Sequence, residues 1–250
     1  MSFDGQTFDG QCVVIIGASA GIGEATAKAF AERGAAVIIT GRSKERLDQA
    51  AQRIGLPAQV GEVDATDRAA LDAFFATTGT IDHLVLAASP GAVGAGPIAG
   101  LDEAVLREAF DGKFFAHVKA IQAALPRLRA DGSITIISAV TARAAFAGTV
   151  GFAAVNGALE TIVRPLTVEL APIRVNAVSP GVIDTQWWDG MPEDQRRAYF
   201  DTLAAVTPVR RVGRPEDVAD AIVYLAGAGF VSGTVLECTG GAHLTAGALA

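Results

Sequence analysis

Cys12-Val13-Val14-Ile15-Ile16-Gly17-Ala18-Ser19-Ala20-Gly21-Ile22-Gly23 is the stretch on which the rest of the chain turns. Five apolar, mostly β-branched residues run straight into three spaced glycines, and a helical pattern begins at Gly21. That order predicts a buried strand, a tight turn and the first turn of a helix. Glycine lets backbone N–H groups approach a diphosphate closely, and a helix N-terminus adds a favourable dipole. Gly17, Ser19, Ala20, Gly21, Ile22 and Gly23 are therefore the candidate contacts of a dinucleotide. The spacing is G-x-x-x-G-x-G rather than the general G-x-G-x-x-G. In isolation, a βα turn without a ligand is the plainer alternative.

Working outward, short apolar runs alternate with longer helical stretches, the pattern of βαβ units and a parallel sheet. Strands are expected at 12–16, 37–40, 59–63, 83–87, 133–138, 174–178 and 235–238. Helices are expected at 21–33, closed by Gly34, at 44–54, ending at Gly55, and at 67–75. Further helices are expected over roughly 102–128, near 151–171, and over 215–226, where Pro215 suits a first turn. A glycine- and proline-rich loop covers 89–100. The segment 184–208 looks like a lid-like insertion with short helices of its own. The fold class is thus α/β: one doubly wound domain spanning 1–250, with a seven-stranded parallel sheet and helices on both faces.

Composition narrows the function. The chain has 250 residues, of which 50% are hydrophobic and only 19% charged. So much apolar surface suits a two-faced sheet and subunit contacts, and a homo-oligomer, dimer or tetramer, is expected. A net charge of −7, with 20 basic residues never running beyond a pair, argues against nucleic acid as a partner. No apolar run approaches the ~20 residues of a membrane span. The first eleven residues are polar or acidic and lack a basic leader, so a cytoplasmic location is expected. Cys12 and Cys238 have no metal-type spacing and read as two buried, reduced thiols; no metal is expected.

Taken together, these motifs resemble the short-chain dehydrogenase/reductase family along essentially the whole chain. The family carries T-G-x-x-x-G-x-G at the glycine turn. Val63-Asp64 matches its adenine-contacting aspartate. Arg174-Val175-Asn176-Ala177-Val178-Ser179-Pro180-Gly181 and Gly213-Arg214-Pro215-Glu216-Asp217-Val218-Ala219 match two further segments, and Gly240-Gly241 its C-terminal glycines. The resemblance implies a Rossmann fold and a nicotinamide cofactor. It places Asp64 and Ala65 at the adenine, Ala88 after the fourth strand, and Pro180, Gly181, Val182 and Thr185 around the carboxamide. The end of the second strand selects the nucleotide. A ribose 2′-hydroxyl is normally held by a carboxylate, whereas a 2′-phosphate needs a cation. Gly41 stands where members preferring NAD carry Asp. Arg42 and Ser43 can then take the phosphate, so NADP(H) is the expected cofactor.

The catalytic positions depart from the family. Its Tyr, Lys, Ser and Asn fall here on Phe152, Asn156, Ala139 and Lys113, and Leu86-Ala87-Ala88-Ser89 replaces N-N-A-G. Phe152 has no proton to give, and no family catalytic residue carries over. Lys113 and Asn156 look like a charge moved across one site, which makes Lys113 the first candidate acid. The alternative is a lysine that snorkels to solvent. Ser138, beside Ala139, is the second candidate, to hold a substrate oxygen or merely to end its strand. His117, one turn beyond Lys113, and Tyr199 in the lid are weaker candidates. The expected activity is NADP(H)-dependent reduction of a small, fairly apolar carbonyl or enone with non-standard proton delivery. The rivals are a non-catalytic NADP-binding sensor or scaffold, and a non-redox lyase or isomerase.

Overall fold

The computed structural model describes residues 7–245. Seven parallel strands, β1 (Cys12–Ile16), β2 (Ala36–Gly41), β3 (Ala58–Glu62), β4 (Ile81–Leu86), β5 (Leu128–Ile137), β6 (Arg174–Pro180) and β7 (Val235–Cys238), lie in the order β3-β2-β1-β4-β5-β6-β7. The order reverses between β1 and β4, and in doubly wound sheets the ligand crevice lies at the carboxyl ends of the strands there.

Helices cover both faces because the strands are apolar on both. On one side α1 (Gly21–Ala31), α2 (Lys44–Ile54) and α8 (Pro215–Gly227) bury Phe30, Leu47 and Ile222 against Val13, Ile15 and Val178. On the other, α3 (Arg68–Thr77), α5 (Ala116–Ala124) and α6 (Val150–Glu169) bury Phe75, Ala120 and Leu159 against Val14, Ile16 and Ile136. A side chain such as Phe30, wholly buried, contributes about 2–3 kcal/mol. The helix ends follow their sequence signals. Ser43 caps α2 by accepting from Arg46 N–H, and Gly55 ends it at φ +69°. Asp67 caps α3 by accepting from the N–H groups of Ala69 and Ala70.

Three expectations need correcting. The helix over 102–128 is not one regular helix: α4 (Glu103–Ala109) passes into a π-helical turn at Phe110–Phe115, then α5, and the chain extends from Leu128. The π turn inserts one residue where Gly112 lies against Pro90; a Cβ on Gly112 would come 2.7 Å from the proline ring. The segment 184–208 holds one regular helix, α7 (Glu193–Val206), after a single turn at Gln186–Trp188. Cys12 and Cys238 are free but only partly buried.

Candidate active site

The glycine turn is shaped by packing as much as by φ. Gly17 sits at φ +91°, and a Cβ there would lie 2.6 Å from Ala88 N. A Cβ on Gly23 would lie 2.2 Å from the Gly17 carbonyl oxygen. Gly17 and Ala18 both donate to Thr40 O at 3.0 Å, which ties the turn to the end of β2. Glu24 N–H donates back to Ala20 O at 3.4 Å, whereas the N–H groups ahead of it at the start of α1 have no helical acceptor. That is the donor set a diphosphate requires, and bare Cα atoms leave room for it.

The other expected cofactor contacts gather around this turn. Arg42 is exposed and makes no hydrogen bond or ion pair with the described residues. Ser43 is less free, since its hydroxyl donates to Glu45 Oε2 at 2.9 Å while capping α2. Asp64 closes a local turn by accepting from Thr66 N and Oγ1, both at 2.8 Å, beside buried Ala65. Gly181 N–H donates to Cys238 O just after Pro180, and Val182 O accepts from Gly213 N–H. Thr185 caps the turn at Gln186–Trp188, its methyl group 3.4 Å from where a Gly21 Cβ would be. The end of the segment 180–185 therefore lies against the glycine turn.

The second half of the site is built from side chains on β5, α6 and the π turn. Lys113 Nζ donates to Asn156 Oδ1 at 2.7 Å and to the Ser138 carbonyl oxygen at 3.2 Å. Asn156 Nδ2 donates to Phe152 O at 2.9 Å and to Thr141 Oγ1 at 3.2 Å, which aims its carbonyl at the lysine. Burial pushes the Lys113 ammonium down to about 8, against a smaller opposing pull from Glu160. Lys113 thus points inward rather than snorkelling out.

Ser138 enters this cluster by its backbone. Its hydroxyl is buried and donates to Glu160 Oε1 at 2.8 Å, and Glu160 Oε2 accepts from Arg143 Nε at 2.8 Å. Glu160 lies one turn beyond Asn156 on α6, a spacing that could have flagged it in the sequence. His117 is fully buried; its Nε2 donates to Ala88 O at 2.9 Å, which leaves Nδ1 as a bare, unpartnered acceptor. Burial and then the Lys113 charge push its pKa down to about 3, so it carries no proton to shuttle near neutral pH. Tyr199 packs 5.3 Å from Trp188, and burial raises its pKa, away from that of an acid.

Over the first turn of α6 lies the aromatic part of segment 184–208. The Trp187 ring meets Phe152 edge-on at 6.4 Å, and Trp188 is pinned by its Nε1–H donating to Ile183 O at 2.9 Å. Phe152 is thus part of an aromatic wall.

Comparison with known proteins agrees with this architecture. A family model described as enoyl-(acyl carrier protein) reductase matches residues 17–243. The cis-4-hydroxycyclohexanecarboxylate dehydrogenase of Sinomonas cyclohexanicum is 36% identical over 250 residues, covering 95% of this chain and 98% of its own. The 3-oxoacyl-[acyl-carrier-protein] reductase of Thermotoga maritima is 32% identical over 250 residues, covering 93% and 98%. Among solved structures, a small-chain dehydrogenase in complex with NADPH is 31% identical with a TM-score of 0.81, covering 94% of this chain and 100% of its own.

Proposed function

Because the chain belongs to the short-chain dehydrogenase/reductase family, we propose that it is an NADP(H)-dependent reductase of a small, fairly apolar ketone or enone in which Lys113 delivers the proton. The observation that carries this reading is the seat of the lysine. Its Nζ rests on two neutral acceptors, Asn156 Oδ1 and Ser138 O, with no carboxylate in ion-pair range among the described residues. An ammonium held this way is oriented without being neutralised, and burial brings it close to the pH at which it must both give and regain a proton.

The glycine turn would hold the diphosphate, Asp64 and Ala65 the adenine end, and Arg42, with Ser43, the 2′-phosphate. Val182 and Thr185 would meet the carboxamide. The bound nicotinamide would supply the hydride. Lys113 then gives one proton to the substrate oxygen, or to the enolate of an enone. Its remaining N–H groups keep their acceptors, so the amine stays in place until it is reprotonated. Phe152 and Trp187 make the apolar wall that keeps water from the reacting atoms. Ser138 acts by holding the lysine through its carbonyl, not by binding substrate through its hydroxyl.

The test is NADPH oxidation across a panel of ketones and enones, by the native chain and by Lys113→Met. Turnover that the substitution abolishes supports the assignment. Turnover that survives it moves the proton to another group, and no turnover at all favours a non-catalytic NADP-binding protein. We also propose self-association through α5, with the π turn before it, and α6; Phe115 of that turn and Val168 of α6 stand 44% and 80% exposed. A monomeric mass by light scattering would count against it.

A further inference from the structure

A chain of polar contacts runs from Lys113 to the outermost strand of the sheet. Lys113 Nζ donates to the Ser138 carbonyl oxygen at 3.2 Å, and the Ser138 hydroxyl donates to Glu160 Oε1 at 2.8 Å. Arg143 Nε donates to Glu160 Oε2 at 2.8 Å, and its Nη1 lies 3.0 Å from Glu237 Oε1 on β7. Lys113 and Ser138 already have their tasks, whereas Glu160, Arg143 and Glu237 have none in the proton step as described.

Charge balance assigns them one. Lys113 and Arg143 bring positive charges, Glu160 and Glu237 negative ones, so the row is neutral only while Lys113 keeps its proton. Without that proton a carboxylate charge is left over between side chains only 9% and 17% exposed, Glu160 and Glu237. An uncompensated charge is costly in such a place. Burial lowers Lys113 to about 8, and Glu160 is the acid that pulls the other way. The other groups around the ammonium add no charge. His117 on α5, pushed down to about 3 by burial and then by Lys113, is neutral, and Asn156 on α6 offers only its amide.

Geometry adds a second task. Ser138 N–H donates to Val178 O at 2.9 Å while its hydroxyl is held by Glu160, so the residue is pinned on two sides and its carbonyl stays on Lys113. We propose that Glu160 is a positioning residue for the proton donor: tied down by Arg143, it pins Ser138 beside the lysine and keeps Lys113 in its charged form. This role rests on Lys113 being that donor. Once the lysine has given its proton to the substrate oxygen, the row carries a net negative charge, which draws a proton from solvent back to the amine.

Competitive acylation of the full chain with acetic anhydride from about pH 6 to 10, with Lys113 followed by peptide mass, reads the lysine's protonation midpoint without any turnover. Lys113 is partly accessible, so the reagent reaches it. Glu160→Gln keeps the shape and loses the charge, and should lower the midpoint by about one pH unit. Arg143→Met leaves both carboxylates uncompensated and should raise it. The pH at which reduction slows should move in the same direction in each variant. A thermal melt checks that each is folded; if Glu160→Gln does not fold, Arg143→Met, at a half-exposed position, decides alone. A midpoint that Glu160→Gln leaves within about 0.3 pH unit of the native one overturns the proposal. So does one that Arg143→Met lowers or leaves in place. Turnover that survives Lys113→Met would overturn the proton-donor reading instead, and the acylation midpoints would still decide whether Glu160 holds the lysine's proton.

Discussion

Two ends of one cleft are built in opposite ways. At the β1 end the contacts are backbone: a glycine held against Ala88, a second against Gly17, and the free N–H groups at the start of α1. At the β5 end they are side chains: Lys113 reaches 43 residues along the chain to Asn156 and 25 to Ser138. A backbone cradle changes little when side chains change, so it keeps its shape while the chemistry beside it is exchanged. A side-chain cluster such as Lys113 with Asn156 depends on the identity of each member, and this one buries a charge.

The sharpest way to separate the two ends is Lys113→Met, which keeps the stem and removes the charge. Turnover should fall by about 10²-fold or more, while NADP(H) affinity, measured by fluorescence titration, stays unchanged. A loss of cofactor affinity would mean that the ends are not separable. In the native chain the proton-bearing form prevails below about 8, so reduction should slow as pH rises through that value. A flat profile from 6 to ~10 would remove Lys113 from the proton step. The same lysine carries a stability cost. Its folded pKa lies below its unfolded one, so the penalty is fully present below about 8 and fades as pH climbs towards 10.5. Lys113→Met should therefore raise Tm at pH 7, with the gain shrinking at alkaline pH.

At the backbone end, Gly23→Ala drives a Cβ into the Gly17 carbonyl, an unyielding neighbour. Overpacking of this kind costs about 1–3 kcal/mol, so NADPH affinity should weaken roughly 10–100-fold with the turn forced open. Unchanged affinity would show that the turn has slack. Arg42→Ala should cost about tenfold in NADP(H) binding and leave NAD(H) untouched, since only the 2′-phosphate loses a partner. Equal losses for both would reassign the arginine to general surface charge. The smallest effect belongs to Phe152→Tyr. Without a neighbouring cation in the family's place, a tyrosine there keeps a pKa near ~10, and turnover should change by less than about threefold. A large gain would instead mean that the site has kept a way of activating a phenol.

The contrast also explains what could be read in advance. The positions of the strands, the glycine turn and the capped helices rest on residues adjacent in the chain, such as the Val13–Ile16 run into Gly17 or Ser43 ahead of α2. Local conformation decides them, and local sequence carries it. The meeting of Lys113 and Asn156 was legible as a pairing of positions through the family pattern. The π turn that carries Lys113 was not, because it arises where Gly112 meets Pro90 from another loop. Nor was the direction of the Ser138 hydroxyl, which a carboxylate on α6 claims. Cys238 looked buried from its apolar strand, yet β7 is the outermost strand on its side of the sheet and leaves it partly open.

Sequence alone determined the doubly wound sheet, the glycine turn after its first strand and a phenylalanine with no proton to give at 152, since each is written in contiguous residues or in the identity of one. Tertiary structure alone decided that Lys113 turns inward onto Asn156 and Ser138, that the Ser138 hydroxyl is spent on Glu160, and that Arg143 is shared between Glu160 and Glu237. Those outcomes depend on which buried polar groups meet across strands and helices far apart in the chain. Burial makes every unmet partner costly, so the packed fold, not the local pattern, assigns them.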